Sequence, residues 1–232
     1  MGSRTKADYK KILKTFKRKL PPGGQNLAEV VVDFEKAVWS AVRRVFPHVA
    51  VKGCLFHWTQ AVWRQCQALG LVVPFKSNAG VHTFIKKLMA LPFLPSEHIP
   101  EAFKKLQEKT KAPDYIERTW MASNQWDPAS WSAFMRSIRT NNDVEGWHHR
   151  INQKAGNHGV HFYKLIQLLH QESSLVTIQI RLVKESKLRR YQRQKYQRLQ
   201  GRVFALWDQY ESGRITTSSL LSACSHLNGP AI

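Results

Sequence analysis

The sequence predicts an α/β fold that carries an all-helical insertion and ends in a basic helical tail. Three observations indicate this fold class. Two short valine-containing apolar runs flank a segment of helical periodicity, an order typical of a strand, a crossover helix and a parallel strand. A long stretch after them is patterned as helices and is repeatedly broken by prolines. The last part of the chain then accumulates lysine and arginine.

The elements of the amino-terminal part follow from apolar spacing. Residues Ala7 to Leu20 predict an amphipathic helix with lysines on its polar face. A strand from about Glu29 to Asp33 follows, and then a helix from Ala37 to Val45, which Pro47 ends. The run from Val49 to Phe56 is short and β-prone, so it predicts the second strand.

The rest of the chain predicts helices only. A helix is expected from His57 to Leu69, and helices broken by prolines are expected over about residues 73–138, as an insertion. Asn142 or Asp143 can cap a further helix that carries Glu145 in its first turns. We therefore predict a core domain over residues 1–170 and a basic helical region over residues 171–232.

Composition narrows the classes of function. The chain has 232 residues with 36 Lys and Arg against 16 Asp and Glu, a formal net charge of +20. Such an excess favours nucleic acid as the partner, with an anionic membrane surface as the alternative. Every apolar run is too short to span a membrane, and the first twenty residues lack a secretion signal. Cys54, Cys66 and Cys224 have no framework spacing, which indicates reduced thiols in the cytosol or nucleus.

Two candidate groups end the predicted strands. Asp33 follows the first strand, at the edge where α/β sheets place their chemistry, although an aspartate there can simply cap the next helix. Cys54 and His57 end the second strand and should lie near the same edge. A Cys-x-x-His pair is half of a zinc site, to which His148 and His149 could add. Because no second pair at ligand spacing is evident, we do not expect zinc and favour a small buried cysteine beside a hydrogen-bonded histidine.

A third candidate group lies in the segment from Asn141 to Arg150. On a helix Glu145 shares a face with His148 and His149, at spacings of three and four residues. A carboxylate directed into a cleft beside an imidazole can hold Mg²⁺ or Mn²⁺ and orient a phosphate or a water. The alternative is an exposed capped helix whose Trp147 packs on the core.

Three segments in this order resemble the core of Mutator-like element (MULE) transposases: Val31 to Ala37, Gly53 to Ala61, and Thr140 to His148. The resemblance spans about residues 7–160. That family has a ribonuclease H-like fold, belongs to the DDE class and performs DNA transposition, a form of DNA recombination in the nucleus. The resemblance implies that Asp33 matches the second catalytic aspartate and that Glu145 matches the catalytic glutamate.

Further implications of the resemblance concern the metal and the remaining acid. Cys54 and His57 match the family's Cys/Asp-x-x-His motif, with His148 in support, and the family's three acids bind two divalent cations, Mg²⁺ or Mn²⁺. The family's first catalytic aspartate precedes the helix that we match to Ala7 to Leu20, and only six residues precede that helix here. We therefore expect an amino-terminally truncated ribonuclease H-like core that is catalytically defective, unless Glu35, Asp143 or a partner chain supplies a third carboxylate. The missing strands would leave the first predicted strand with an unpaired edge.

The basic tail is the predicted DNA-binding surface. Its cations greatly outnumber the single acid Glu185, which favours phosphate contacts over salt bridging, although a merely solvated helix face is the alternative. The predicted DNA-binding residues are Arg181, Lys184, Lys187, Arg189, Arg190, Arg193, Lys195 and Arg198. Phosphate contacts give affinity for duplex DNA without sequence choice. We expect a transposase-derived DNA-binding protein, with a non-catalytic remnant as the alternative and the oligomeric state, a homo-oligomer included, left open.

Overall fold

The computed structural model describes residues 5–20, 25–108, 116–122, 125–140, 142–156, 160–185 and 194–227. These residues are mostly helical and contain one parallel two-stranded sheet. They form two compact units, the first from residues 1–140 together with 199–232 and the second from residues 141–198. Among the described helices, none combines the length and the apolar character needed to cross a membrane.

The first unit begins with the predicted helix, strand, helix and strand. Its elements are α1 (Lys6–Lys19), β1 (Glu29–Val32), α2 (Lys36–Val45), β2 (Ala50–Gly53) and α3 (Leu55–Ala68). The strands pair in parallel with Val32 opposite Gly53, so the predicted crossover is confirmed. The predicted end of the second strand is wrong, because Leu55 and Phe56 form the first turn of α3 instead of extending β2.

Helix α1 lies against α2. Its start is fixed by a capping box in which Thr5 and Asp8 bond each other's backbone amides. The Tyr9 hydroxyl donates to the carboxylate of Glu35 at 2.9 Å, and Lys17 Nζ donates to the carbonyl of Val45 at 2.9 Å. The first contact holds α1 beside the strand-to-helix turn that carries Asp33, and the second holds it at the last residue of α2.

The helical character predicted for about residues 73–138 is confirmed in the part that the structure describes, whereas their role as an insertion stays a prediction. Its elements are α4 (Val72–Ser77), α5 (Ala79–Ala90), 3₁₀ turns (Leu91–Phe93 and Ser96–His98), α6 (Ile99–Gln107), a π-helical turn (Glu117–Met121) and α7 (Pro128–Trp131). The prolines act at helix ends, as their missing amide hydrogen requires. Pro100 lies in the first turn of α6, and Pro128 opens α7 while Asp127 accepts from the Ser130 amide at 2.8 Å.

An aromatic cluster fills the core beside the sheet. Trp58 stacks on Trp131 with ring centroids 4.3 Å apart, and Trp120 meets Trp58 edge to face at 4.9 Å. Phe34 packs edge to face on Trp120 at 4.5 Å. Trp39, Trp58, Trp120 and Trp131 are all fully buried. Aromatic pairs gain about 0.5–1.5 kcal/mol beyond area burial, so this cluster stabilises the packing beside the strand ends.

The second unit contains α8 (Asn142–Ala155) and α9 (Phe162–Lys184). The predicted helix around Glu145 is therefore present, and Glu145 is its fourth residue. Ile151 and Ala155 of α8 are buried. The end of the core domain predicted at residue 170 falls inside α9.

The chain continues with α10 (Gln194–Glu211) and α11 (Thr217–Leu227), which contribute to the first unit from residue 199 onward. Val203 and Trp207 of α10 are buried, and Trp207 Nε1 donates to the carbonyl of Phe93 at 2.8 Å. Helix α10, which the sequence assigns to the basic tail, is thus part of a hydrophobic core, because its apolar face packs against the helical region that contains Phe93. A ribonuclease H-like core, which needs more strands than the two described, stays a prediction.

Candidate metal centre

The two strand ends bring a carboxylate and a thiol to one edge of the sheet. Asp33 follows Val32, the last residue of β1, and Cys54 follows Gly53, the last residue of β2. The Cys54 amide donates to the carbonyl of Val32 at 3.0 Å, so the parallel pairing continues up to the site. The prediction that Asp33 and Cys54 share the carboxyl edge of the sheet is therefore confirmed by the register.

His57 completes a group of three. Cys54 is the residue before α3, and His57 lies in the first turn of that helix. Nδ1 of His57 is 3.0 Å from Oδ1 of Asp33. One ligand atom from each of Asp33, Cys54 and His57 lies within 4.8 Å of the other two. Within the part of the chain that the structure describes, no other three His, Cys, Asp or Glu residues come this close.

The three groups differ in exposure. The Cys54 side chain is fully buried, whereas the side chain of His57 is 25% exposed and that of Asp33 is 48% exposed. The thiol therefore lies at the base of the group, and the carboxylate reaches solvent. An ion entering from solvent would meet the carboxylate and the imidazole first.

Backbone contacts hold the group in place. Trp39 Nε1 donates to the carbonyl of Asp33 at 2.7 Å, and the Leu55 amide donates to the carbonyl of Arg139 at 2.8 Å. Gly53 lies directly against the ring of Phe34, where a β-carbon would overlap that ring. Phe34 and Trp58 each follow a site residue in sequence and point into the aromatic cluster. In both pairs the polar side chain is partly exposed, and the aromatic side chain that follows it packs into the cluster.

The chemistry of the donors limits which ion they suit. A thiolate, an imidazole and a carboxylate are a mixed sulfur, nitrogen and oxygen set, which suits Zn²⁺ and similar transition metals. Mg²⁺ demands oxygen ligands in octahedral geometry. Glu35, suggested from sequence as a third carboxylate, accepts a hydrogen bond from Tyr9 on α1. Asp33, Cys54 and His57 taken by themselves suit Zn²⁺ better than Mg²⁺, and the Mg²⁺ or Mn²⁺ centre of Asp33 and Glu145 that the resemblance implies stays a prediction.

The other predicted catalytic residues lie in the second unit. The side chains of Glu145 and Asp143 are outside the described part of the structure. His148 is exposed, and its ring lies 5.2 Å from that of Trp147. The sharing of one cation by Asp33 and Glu145 stays a prediction.

Sequence analysis missed Glu172, which organises the second unit. This residue on α9 is 5% exposed and accepts hydrogen bonds from three side chains of α8. Lys154 Nζ donates at 2.8 Å, the Arg150 guanidinium at 2.9 Å and Trp147 Nε1 at 3.1 Å. The bonds from Lys154 and then Arg150 lower the pKa of Glu172 to about 2. The spacing of its partners along α8 was the available signal, but the alternative that Trp147 simply packs on the core concealed it.

The predicted DNA-binding residues are only partly described. Arg181 is exposed and pairs with Glu185 at 3.0 Å, and Arg198 is exposed. The side chains of Lys184 and Lys195 and the whole of Lys187, Arg189, Arg190 and Arg193 lie outside the described residues. The chain is helical before and after residues 186–193, which lie outside the described part. That one continuous basic helix runs through them stays a prediction.

Cys54, Cys66 and Cys224 are all buried. Burial raises the pKa of Cys66 to about 11 and that of Cys224 to about 12. Both of these thiols stay protonated at neutral pH. Cys54 differs from them in having a carboxylate and an imidazole beside it.

Comparison of the chain with protein-family models, with curated proteins and with solved structures found no match.

Proposed function

We propose that this chain is a MULE-like transposase-derived protein that binds duplex DNA through phosphate contacts. The observation that carries the proposal is the meeting of Asp33 with the Cys54 and His57 pair at one sheet edge. Two of the three motifs of the resemblance lie on different strands, and their side chains are neighbours in space. If these motifs derive from a transposase core, their side chains should lie at the same edge of the sheet.

Charge supports DNA as the partner. The chain has a net charge of +20, and part of this charge lies on residues that the structure describes. Helix α1 has Asp8 as its one acidic residue, and Lys11, Lys14 and Arg18 are exposed on it. On its apolar side Leu13 packs on the core, whereas Ile12 and Phe16 are exposed. A helix that turns a basic face to solvent is suited to a row of phosphates.

The proposal is for binding and not for cleavage. Transposition of the DDE kind needs carboxylates that hold two divalent cations, which activate a nucleophile and stabilise the leaving oxygen. At the described sheet edge Asp33 is the carboxylate, and its neighbours are a thiol and an imidazole. DNA in the nucleus is the partner that this proposal assigns.

The test is equilibrium binding of fluorescent duplexes at low salt. Two duplexes of unrelated sequence should bind with the same affinity, and Asp33→Asn and Glu145→Gln should leave that affinity unchanged. Vesicles containing anionic lipid serve as the competing polyanionic surface. Binding to vesicles with no binding to either duplex would overturn the proposal.

The second candidate is an active nuclease or transposase, favoured by the exposure of the Asp33 carboxylate at the sheet edge. It predicts nicking of supercoiled DNA that depends on Mg²⁺ or Mn²⁺ and is lost in both Asp33→Asn and Glu145→Gln. Cleavage that survives both substitutions would indicate a contaminating nuclease. Retardation of the plasmid without nicking would support the binding protein.

A further inference from the structure

We propose that Asp33, Cys54 and His57 form a binding site for Zn²⁺. This inference does not rest on the proposed DNA binding, because it follows from donor type and distance alone. It also differs from the Mg²⁺ or Mn²⁺ that the resemblance implies, since those ions would be held by carboxylates. The proposed site uses the thiol and the imidazole as ligands.

The distances allow the site to form with small adjustments. In a tetrahedral site with bonds of about 2.0–2.3 Å, ligand atoms stand roughly 3.3–3.8 Å apart. One ligand atom of each residue lies within 4.8 Å of those of the other two, and Oδ1 of Asp33 is 3.0 Å from Nδ1 of His57. Side-chain rotation of Asp33, whose carboxylate is half exposed, can supply much of the remaining adjustment.

The surroundings resemble those of a supported site. Protein metal ligands need outer contacts that fix their orientation. The Asp33 backbone is fixed by Trp39, and the turn that carries Cys54 is fixed by the sheet pairing and by the contact of Leu55 with Arg139. The site is therefore anchored on a strand pair and a helix start instead of a loop.

Three protein ligands leave one tetrahedral position for water. The exposed side of the group is the one that carries the Asp33 carboxylate, so the fourth position faces solvent. Binding replaces the thiol proton of Cys54 by the metal, and that proton passes to solvent. A neutral His57 can change tautomer without releasing a proton. The expected balance is one metal ion bound and about one proton released.

The test uses untagged, metal-free full-length protein titrated with Co²⁺ and then with Zn²⁺. Co²⁺ should give a thiolate-to-metal charge-transfer band and intense tetrahedral visible bands at one equivalent, and Zn²⁺ should displace it. Titration in buffers of different ionisation enthalpy counts the released proton. Zn²⁺ should also raise the Tm, since it binds the folded state.

Variants assign the ligands. Cys54→Ser should abolish the charge-transfer band, and Asp33→Asn or His57→Asn should weaken Zn²⁺ binding by more than tenfold, because even outer contacts are worth about 10–100-fold. Cys66→Ser and Cys224→Ser are matched controls, since these buried thiols lie outside the group. Should Cys54→Ser fail to fold, the partly exposed Asp33 and His57 provide the same test.

Two outcomes would overturn the inference. One is a folded wild-type protein whose Co²⁺ complex lacks the thiolate band. The other is Zn²⁺ binding that none of the three ligand substitutions weakens. Neither outcome bears on DNA affinity, so the zinc site and the proposed DNA binding can fail separately.

Discussion

The carboxylate of Asp33 lies 3.0 Å from Nδ1 of His57, and the two residues come from different elements of one crossover unit. Asp33 directly follows β1, whereas His57 lies in the first turn of the helix that follows β2. Both side chains are partly exposed, whereas Trp58, next to His57, is fully buried and Phe34, next to Asp33, packs against the core. The site groups are therefore separable from the groups that stabilise the fold.

Substitutions of the site residues and of the aromatic residue beside them should therefore differ in their effect on the free energy of unfolding. Asp33→Asn and His57→Asn should each change the free energy of unfolding by less than about 1 kcal/mol, because exposed ion pairs contribute little. Trp58→Ala, one residue further along, should cost about 3–5 kcal/mol by leaving a cavity in the aromatic cluster. Urea unfolding of the metal-free protein measures both. A large loss of stability in Asp33→Asn would mean that the group is structural.

The contact between Gly53 and Phe34 predicts a second effect. Gly53→Ala should destabilise the first unit by about 1–3 kcal/mol, because the new β-carbon overlaps the Phe34 ring in a packed core. Gly201→Ala on α10 is the control, as its β-carbon meets nothing within 4 Å, and it should gain up to about 1 kcal/mol. Thermal and urea unfolding report the difference. Equal effects of the two substitutions would contradict the close packing at the strand end.

Glu172 predicts an acid-sensitive contribution in the second unit. Its pKa falls from the ordinary 4.5 to about 2 in the folded state, so its stabilisation is full above pH 4.5 and disappears as the pH falls towards 2. Glu172→Gln should remove this part of the pH dependence of Tm, measured by circular dichroism. Glu185→Gln on the same helix is the control, because its pair with Arg181 is exposed. A wild-type Tm that does not change over this pH range would contradict the buried cluster.

The exposed cations of α1 predict a uniform effect on DNA binding. Lys14→Ala should lower the affinity for two unrelated duplexes equally and reduce the salt slope by about 1. Lys105→Ala is the matched control, since Glu101 lies 2.6 Å from its amine and already offsets its charge. Anisotropy titrations at several salt concentrations measure both. A loss confined to one duplex would indicate base contacts in place of phosphate contacts.

The sequence predicts the β1–α2–β2 crossover correctly, because the spacing of apolar residues in its strands differs clearly from that in its helix. The sequence predicts a strand at Leu55 and Phe56 where the structure has a helix, because a short apolar run is compatible with both. The sequence predicts that Asp33, Cys54 and His57 lie near one sheet edge, and it argues against zinc because it shows no second pair at ligand spacing. The contact of Asp33 with His57 does not follow from spacing along the chain and is seen only in the structure. The buried role of Glu172 is not predicted from sequence, because its hydrogen-bond partners lie on another helix.

The salt dependence of duplex binding by the wild-type protein tests the central claim most directly. The logarithm of the binding constant should fall linearly with the logarithm of salt concentration, with a slope steeper than about −4, as for roughly five neutralised phosphates. The slope should be the same for unrelated sequences and in Asp33→Asn. A slope near zero, or no binding at low salt, would contradict the account.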